Sequence, residues 1–310
     1  MSELEKDLVN YLQLRHSLGH ELADSHRLLP GFVLFLDTRG CATITTKAAL
    51  EWSQQSSTVA PSSVGPRRMT AARGFARYLA GIYPETEVPP LGLMPHRQRW
   101  RLPFIYSADD IEALMSQARH SIAQPLRAET YETLIGLLAA TGLRIGEAIK
   151  LDRSDVDSKE KLLLIRESKF GKSRLVPLQE STMEALISYA VVRDELQPSP
   201  LDASFFVSLT RKRLCYQVVS HTFRHLVTAA GIGADAPSAP RIHDLRHRFA
   251  IETLLSWYHS DEDVQAKIPA LSTYLGHREP ASTYWYLSAA PELLALAAAR
   301  QDAHWIKAHS

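Results

Sequence analysis

YETLIGLLAATGLRIGEAIKL, residues 131–151, decides the fold of the larger part of this chain. Its first half is strongly apolar and predicts a buried helix, which Thr141-Gly142 ends before a second short helix begins. Arg144 follows the break, and Glu147 lies three residues later, where a carboxylate can hold a guanidinium. An ordinary surface ion pair has the same spacing, so a functional interpretation needs charged partners from elsewhere in the chain.

Helical patterns lie on both sides of this segment, with one hairpin between them. KLLLIRESKFGKSRLVPL, residues 161–178, alternates on either side of Phe170-Gly171 and predicts a β-hairpin. The expected fold is therefore mostly α with a small β-sheet. The apolar spacing predicts the remaining helices over 3–19, 21–37, 45–54, 65–83, 107–118, 180–196, 216–231, 244–258 and 261–275.

Composition restricts the class of protein. The chain has 310 residues, with 35 Lys+Arg against 34 Asp+Glu, so it is not a global polycation. Its two cysteines argue against a disulfide framework or a cysteine-based zinc site. The first 25 residues are charged and amphipathic, which argues against a signal peptide, and no apolar run reaches the roughly 18 residues of a membrane span. We therefore expect a cytoplasmic protein with no membrane partner.

A proline-rich stretch over 84–103 is the clearest change of composition. It leads us to predict a helical N-terminal domain over 1–96, a linker over 97–106 and a second domain over 107–310 that ends in a tail helix. Four arginines precede the prolines, either as a solvated helix face or as a surface that holds a phosphate backbone. These candidate DNA-binding residues are Arg67, Arg68, Arg73 and Arg77.

Three further clusters in the second domain mix charge with apolar context. Lys169 lies at the hairpin tip in ESKFGKS, with Lys172 and Arg174 nearby as candidate DNA contacts. In IHDLRHRFA, residues 242–250, His243 and Arg246 are three apart and share a helix face. SHTFRHLV, residues 220–227, repeats the same H-x-x-R-H spacing. We expect this second copy to be a packed structural helix, because no acidic or cysteine ligand accompanies its histidines.

The last cluster is LGHREPASTYWYL, residues 275–287. Gly276 is placed to end a helix, which leaves His277 projecting from the turn. Tyr284 and Tyr286 are about 200° apart on a helix at roughly 100° per residue, so one packs while the other can serve a site.

Arginines, a lysine, histidines and a tyrosine without a metal set suit chemistry at a phosphodiester. Arginine forks neutralise the non-bridging oxygens, and this stabilisation grows as charge develops in the transition state. A tyrosine hydroxyl can attack phosphorus when its proton is accepted and the leaving oxygen is protonated. We expect no metal and no cofactor, since cationic side chains can take the place of Mg²⁺ in phosphoryl transfer.

The motifs TGLRIGEA, SKFGKSRLVPL, HDLRHRFA and LGH, followed by a tyrosine nine residues after the histidine, closely resemble the tyrosine recombinases of the phage integrase type. The resemblance covers about residues 103–290 and implies a two-domain DNA clamp. Its partners would be double-stranded DNA with specific recombination sites and further protomers, as a homo-tetramer or mixed with related recombinases. The catalytic set that it implies is Arg144, Lys169, His243, Arg246, His277 and Tyr286, with Glu147 fixing Arg144.

The resemblance also implies a role for each residue. The two arginines would clamp the scissile phosphate, and Lys169 would protonate the leaving 5′ oxygen. His243 would be the general base or orient the nucleophile, while His277 would hydrogen-bond the phosphate. Tyr286 would attack and form a 3′-phosphotyrosine, so the strand is rejoined without ATP, in integration, transposition or another task of a mobile element.

Two features leave alternatives open. The connector between HDLRH and LGH is longer than usual in the family, and we expect an extended loop around 258–263. The tail over 287–310 either packs on its own domain or docks on a neighbouring protomer.

Two other functions are also open. A topoisomerase IB-like relaxing enzyme would act as a monomer on DNA. A non-cutting DNA-binding accessory protein would tolerate a broken catalytic set, whereas this set is complete.

Overall fold

The computed structural model describes residues 2–20, 22–55, 64–94, 102–168, 172–199, 201–260, 262–277, 283–286 and 292–298. The chain divides into two units, Met1–Trp100 and Arg101–Ser310. This division lies inside the predicted linker over 97–106, while the linker's bounds and the role of each domain stay predictions. None of the described helices is long and apolar enough to span a membrane.

The first unit contains four described helices around one apolar core. Ser2 opens the first helix with a capping box to Glu5, and Thr45 caps the third by accepting from the Ala48 N–H. Phe32 packs against Trp52 at a centroid distance of 4.6 Å inside this core. The helices are α1 (Glu3–Ser17), α2 (Ala23–Thr38), α3 (Thr46–Gln54) and α4 (Val64–Leu79).

The second unit is mostly helical with one small sheet, as the sequence predicted. Three antiparallel strands lie in the order β1-β2-β3, and Leu163 opposite Val176 sets the register of the hairpin, both side chains being buried. The elements are α5 (Ala108–Ser121), α6 (Pro125–Thr141), α7 (Ile145–Lys150), β1 (Val156–Asp157), β2 (Leu162–Ser168), β3 (Lys172–Pro177), α8 (Glu180–Leu196), α9 (Tyr216–Ala229), α10 (Asp244–His259) and α11 (Val264–Leu275).

Helix α6 is the centre of the larger core. Most of its residues are buried, and they pack against α5, α8 and α10. It begins at Pro125, six residues before the apolar run that predicted it, because a proline at the first helical position is already fixed near helical φ. Its other end, at Thr141, positions the TGLR turn.

A separate apolar cluster joins α10, α11 and the segments after them. Leu254 and Leu271 are buried there together with Tyr286 and Leu293. Residues 283–286 and 292–298 are helical, and the rest of the tail lies outside the described residues. Most of the connector belongs to α10, which ends at His259, and to α11, which begins at Val264, so four residues separate the two helices. Asp263 caps α11 by accepting from the Ala266 N–H. The predicted loop around 258–263 is thus shorter than expected, because residues 258 and 259 are part of α10.

Candidate active site

The TGLR turn depends on a glycine. Gly142 ends α6 with a φ of 61°, and a Cβ built on it would lie 2.5 Å from Cδ1 of Phe249. Both the left-handed conformation and the close approach of α10 therefore require glycine. The carbonyl of Gly142 accepts a 2.9 Å hydrogen bond from Nη1 of Arg246, so the turn also holds a charged residue of α10.

Glu147 fixes Arg144 from the first turn of α7. The Arg144 backbone N–H donates to Glu147 Oε2 at 3.0 Å, and its guanidinium donates to Oε1 at 2.9 Å. Glu147 is buried, so this is not the surface ion pair that the spacing also allowed.

Arg174 of β3 is the second cation on the same carboxylate. Its two Nη atoms donate to Glu147 Oε1 and Oε2 at 3.0 and 2.9 Å, and its Nε donates to the carbonyl of Tyr274 at 2.8 Å. The side chain is 12% exposed. The structure thus places Arg174 beneath the site, in contact with α7 and α11.

The two arginines set the charge state of Glu147. Burial alone would raise the pKa of this carboxyl, but the hydrogen bonds and charge of Arg174, and those of Arg144, outweigh it and lower the pKa to about 2. Glu147 is therefore a fixed anion at neutral pH, shared between two guanidinium groups.

The carboxyl end of α11 holds three guanidinium groups. Arg246 Nη2 donates to the Leu275 carbonyl at 2.7 Å, and Arg144 Nη2 donates to the Gly276 carbonyl at 3.0 Å. Arg174 bonds the carbonyl of Tyr274, one residue earlier. The last carbonyls of a helix together carry about half a negative charge. This helix end therefore partly balances the charge of the three arginines, for which Glu147 is the one other anion among the described contacts.

Arg246 is the most deeply placed of the three. It is 2% exposed, and burial first and the charge of Arg144 second lower its pKa to about 10, so it keeps its charge at neutral pH. A buried cation without a full counter-charge is costly. An anion that binds beside this cation lowers the free energy of the site, which is the property that a phosphate-binding site needs.

The predicted histidines lie around these cations. Gly276 ends α11 with a φ of 67°, and His277 follows it with its Nδ1 2.8 Å from Thr283 Oγ1. Loss of hydration first, and then the charge of Arg246, lowers the pKa of His277 to about 4. His243 lies at the start of α10 and is exposed, and the same two causes lower its pKa to about 4. Both imidazoles are neutral at pH 7.

The two tyrosines differ in burial. Tyr286 is 2% exposed, whereas Tyr284 is 46% exposed. The Tyr286 ring lies 6.2 Å from the His277 ring, with 22° between the planes. Burial raises the pKa of the Tyr286 phenol, while the charge and hydrogen bond of Arg246 lower it in part. The phenol is therefore protonated at neutral pH and lies beside a guanidinium.

Two residues of this site were not predicted from the sequence. Thr283 orients His277, and His247 of α10 places its ring 5.5 Å from the ring of Tyr286. The second histidine of the H-x-x-R-H spacing was a signal for His247, because it lies one helical turn after His243. Thr283 carried no such signal.

Several predicted residues are either outside the described residues or lie in the first unit. Lys169 is outside the described residues, and of Lys172 only the backbone, at the start of β3, is described. In the first unit, Arg67 pairs with Asp24, while Arg68 lies 5.0 Å above the ring of Trp52. Arg73 donates to the carbonyls of Pro89 and Pro90, and Arg77 is exposed. The DNA contacts predicted for these arginines stay predictions.

No group of three or more potential metal ligands occurs among the residues that the structure describes. The second H-x-x-R-H copy forms part of α9, where Phe223, Leu226 and Val227 are buried, as predicted for a packed helix. Its histidines His221 and His225 are exposed, with their Nε2 atoms 3.2 Å apart. The expectation of metal-free chemistry stays a prediction.

Chemically, the site combines a buried phenol, two neutral imidazoles and a set of guanidinium groups. The charges can stabilise an anion with two negative oxygens, and neutral imidazoles can accept a proton. This is the arrangement of an enzyme or binding protein that acts on a phosphodiester.

Comparison with known proteins agrees with this class. The model of the phage integrase family matches residues 105–292, and the chain belongs to this family, the tyrosine recombinases. The chain is 39% identical to "Putative integrase/recombinase y4rB" of Sinorhizobium fredii, over 98% of this chain and 99% of that protein. Members of the family carry out site-specific recombination.

Solved structures of integrases share the fold. The Tn1549 transposon integrase in complex with transposon right end DNA has a TM-score of 0.65 and 14% identity, over 96% of this chain and 98% of that one. A lambda integrase tetramer bound to a Holliday junction has a TM-score of 0.57 and 17% identity, over 90% of this chain and 79% of that one.

Proposed function

We propose that this protein cuts and rejoins double-stranded DNA at specific sites through a 3′-phosphotyrosine on Tyr286. One observation carries the proposal: a buried tyrosine lies beside the equally buried guanidinium of Arg246. A phenol packed for stability alone does not need a charged neighbour. A nucleophile that must meet a phosphate does, because the same cation attracts the phosphate to the phenol.

The arginines would clamp the scissile phosphate. Arg246 and Arg144 donate to neighbouring carbonyls at the end of α11, so their guanidinium groups are already held near one another. Little reorganisation is then needed when the phosphate arrives, and their attraction grows as charge develops on the non-bridging oxygens. Glu147 and Arg174 act indirectly, by holding Arg144. We therefore propose Arg174 as a supporting residue and no longer as a DNA contact.

The proton transfers follow from the charge states. The Tyr286 oxygen attacks phosphorus, the bond from phosphorus to the 5′ oxygen breaks, and a P–O bond to tyrosine forms. The phenol proton passes to His243, which is neutral because its pKa is lowered to about 4 and which a phosphate anion would make more basic. Lys169 would give a proton to the 5′ oxygen, and His277 would donate to the phosphate. Rejoining reverses these steps without ATP or metal.

The partners follow from the reaction. The DNA would carry specific recombination sites and belong to a mobile element, as the Tn1549 and lambda comparisons suggest, and the protein would act in the cytoplasm. We propose a homo-tetramer on DNA, by analogy with the lambda integrase tetramer. Nothing in the described structure favours the topoisomerase-like or the non-cutting alternative.

The test is an adduct assay on nicked DNA from the ends of the element that carries the gene. A nick beside the cleavage position lets the cut strand diffuse away, so the covalent complex accumulates. Wild type should give an SDS-resistant protein–DNA adduct, and Tyr286→Phe should give none while still binding the DNA.

Tyr284→Phe is the matched control, because it removes an exposed phenol two residues away. It should form the adduct at the rate of the wild type. An adduct that persists in Tyr286→Phe and disappears in Tyr284→Phe would move the nucleophile to Tyr284. DNA binding without any adduct from wild type would favour the accessory protein.

A further inference from the structure

His247 occupies a place in the site that the proposed reaction leaves unexplained. It lies on α10, directly after Arg246, and its imidazole ring is close to three other aromatic rings. The centroid distances are 4.9 Å to His243, 5.3 Å to Trp285 and 5.5 Å to Tyr286. Its ring is thus close to both the proposed base and the proposed nucleophile.

The imidazole is poorly suited to a purely structural role. Its Nδ1 is buried and has no hydrogen-bond partner among the described residues. A buried polar atom without a partner costs about 1–3 kcal/mol, and an apolar side chain at this place would avoid that cost. The surroundings also keep the ring neutral, since burial first and the nearby His243 second lower its pKa to about 4. Such an unsatisfied group needs an explanation.

We propose that His247 is a positioning residue for the Tyr286 nucleophile. Its imidazole packs against the phenol ring, and its Nδ1 forms a hydrogen bond once DNA fills the site. This inference rests on the proposed function. The centroid of the Tyr286 ring is 5.5 Å from that of His247 and 6.2 Å from that of His277. His247 lies on α10 and His277 directly follows the end of α11, so the phenol is held relative to both helices that carry the site. Arg246, next to His247 in sequence, holds the phosphate while His247 holds the attacking group.

A substitution of His247 should impair attack by Tyr286 and leave DNA binding intact. His247→Leu should slow adduct formation on nicked DNA by about tenfold to 100-fold, the cost of a small misplacement of reacting groups. DNA affinity should stay unchanged. His247→Asn keeps a hydrogen-bonding group at the δ position, so it should lose less than the leucine variant.

A second assay removes the tyrosine. In a Tyr286→Ala background, hydrogen peroxide can serve as a small external nucleophile that attacks the phosphate and releases the 5′-hydroxyl strand. Adding His247→Leu should leave this peroxide cleavage within about twofold, because no phenol remains to be positioned. A change that disturbed the arginines or the leaving-group acid would slow peroxide cleavage as well.

His259→Leu is the matched control, an exposed histidine on the same helix, and should leave both assays unchanged. The proposal is overturned if His247→Leu forms the adduct at the wild-type rate, or if it slows both assays equally. If the leucine variant does not fold, the asparagine variant is judged by the same two assays. Failure of the proposed function is visible separately, because wild type itself would then form no adduct.

Discussion

Replacing Glu147 by glutamine removes the charge shared by Arg144 and Arg174 and keeps the shape of the side chain. The carboxylate accepts four hydrogen bonds, three from the two guanidinium groups and one from the Arg144 backbone. The amide of glutamine has one acceptor oxygen, and its NH₂ group faces guanidinium donors. We therefore expect Glu147→Gln to destabilise the second unit and to loosen Arg144.

The size of the effect follows from the pKa of Glu147. Its pKa is lowered from 4.5 to about 2 by the two arginines. At 1.36 kcal/mol per pKa unit, this shift corresponds to about 3 kcal/mol of stability at neutral pH. Removing one partner of a buried ion pair costs about 3–5 kcal/mol in other proteins, which agrees.

The loss of stability in Glu147→Gln should depend on pH. A carboxyl with a lowered pKa in the folded state stabilises the protein above pH 4.5, and this stabilisation is lost as the pH falls towards 2. The variant has no such group. The difference in free energy of unfolding between wild type and Glu147→Gln should therefore be largest at pH 7 and shrink below pH 4.5.

The assay is urea unfolding between pH 7 and pH 3, with hydrogen exchange of peptides from α7 and β3 to assign the loss to the second unit. Glu180→Gln is the control, because the Lys161–Glu180 pair is exposed and should be worth about 0–1 kcal/mol. A Glu147→Gln effect under about 1 kcal/mol at pH 7, or one that stays constant down to pH 3, would refute the reasoning.

The remaining predictions concern the phosphate clamp, the TGLR turn, the histidines and the absence of a metal. Arg246→Lys should slow single-turnover cleavage by roughly 30-fold or more, because a lost anion contact costs about 2–4 kcal/mol, with DNA binding little changed in a filter assay. Gly142→Ala should lower stability in thermal unfolding by at least about 2 kcal/mol, since φ is 61° and the new Cβ meets Phe249, whereas Gly146→Ala, with no atom within 4 Å, should be neutral or stabilising. The three site histidines have pKa values lowered to about 4 from 6.5, so the urea midpoint should fall as the pH drops from 6.5 towards 4, and a midpoint that rises would contradict neutral histidines. Cleavage should continue in EDTA, and its loss there would contradict the metal-free mechanism.

The sequence predicted the helices well because each has a periodic apolar face or a cap that is visible locally. Ser107 and Asp110 form the capping box of α5, and Gly276 ends α11, as their residue types indicate. The start of α6 was missed although Pro125 marked it, because Arg127, Glu129 and Thr130 interrupt the apolar pattern there.

The sequence could not predict which partners meet in the site. Arg174 and Glu147 are 27 residues apart, and Arg246 and Gly142 are 104 apart. Such contacts follow from how α10 and α11 pack against α6 and β3, which no local pattern encodes. Arg174 was therefore predicted as a DNA contact of the hairpin, and no role was predicted for His247.

Backbone carbonyls at the end of α11 accept hydrogen bonds from all three arginines, in addition to the Glu147 carboxylate that holds two of them. The amino acids at 274 and 275 are consequently free to change in evolution with respect to this contact, provided that the helix ends at the same place. A single inserted residue within α11 would rotate its end by about 100° and displace all three anchors at once. An insertion before the Asp263 cap leaves the end of α11 untouched. The four residues between His259 and Val264 lie on that tolerant side, so their number can vary without displacing the end of α11.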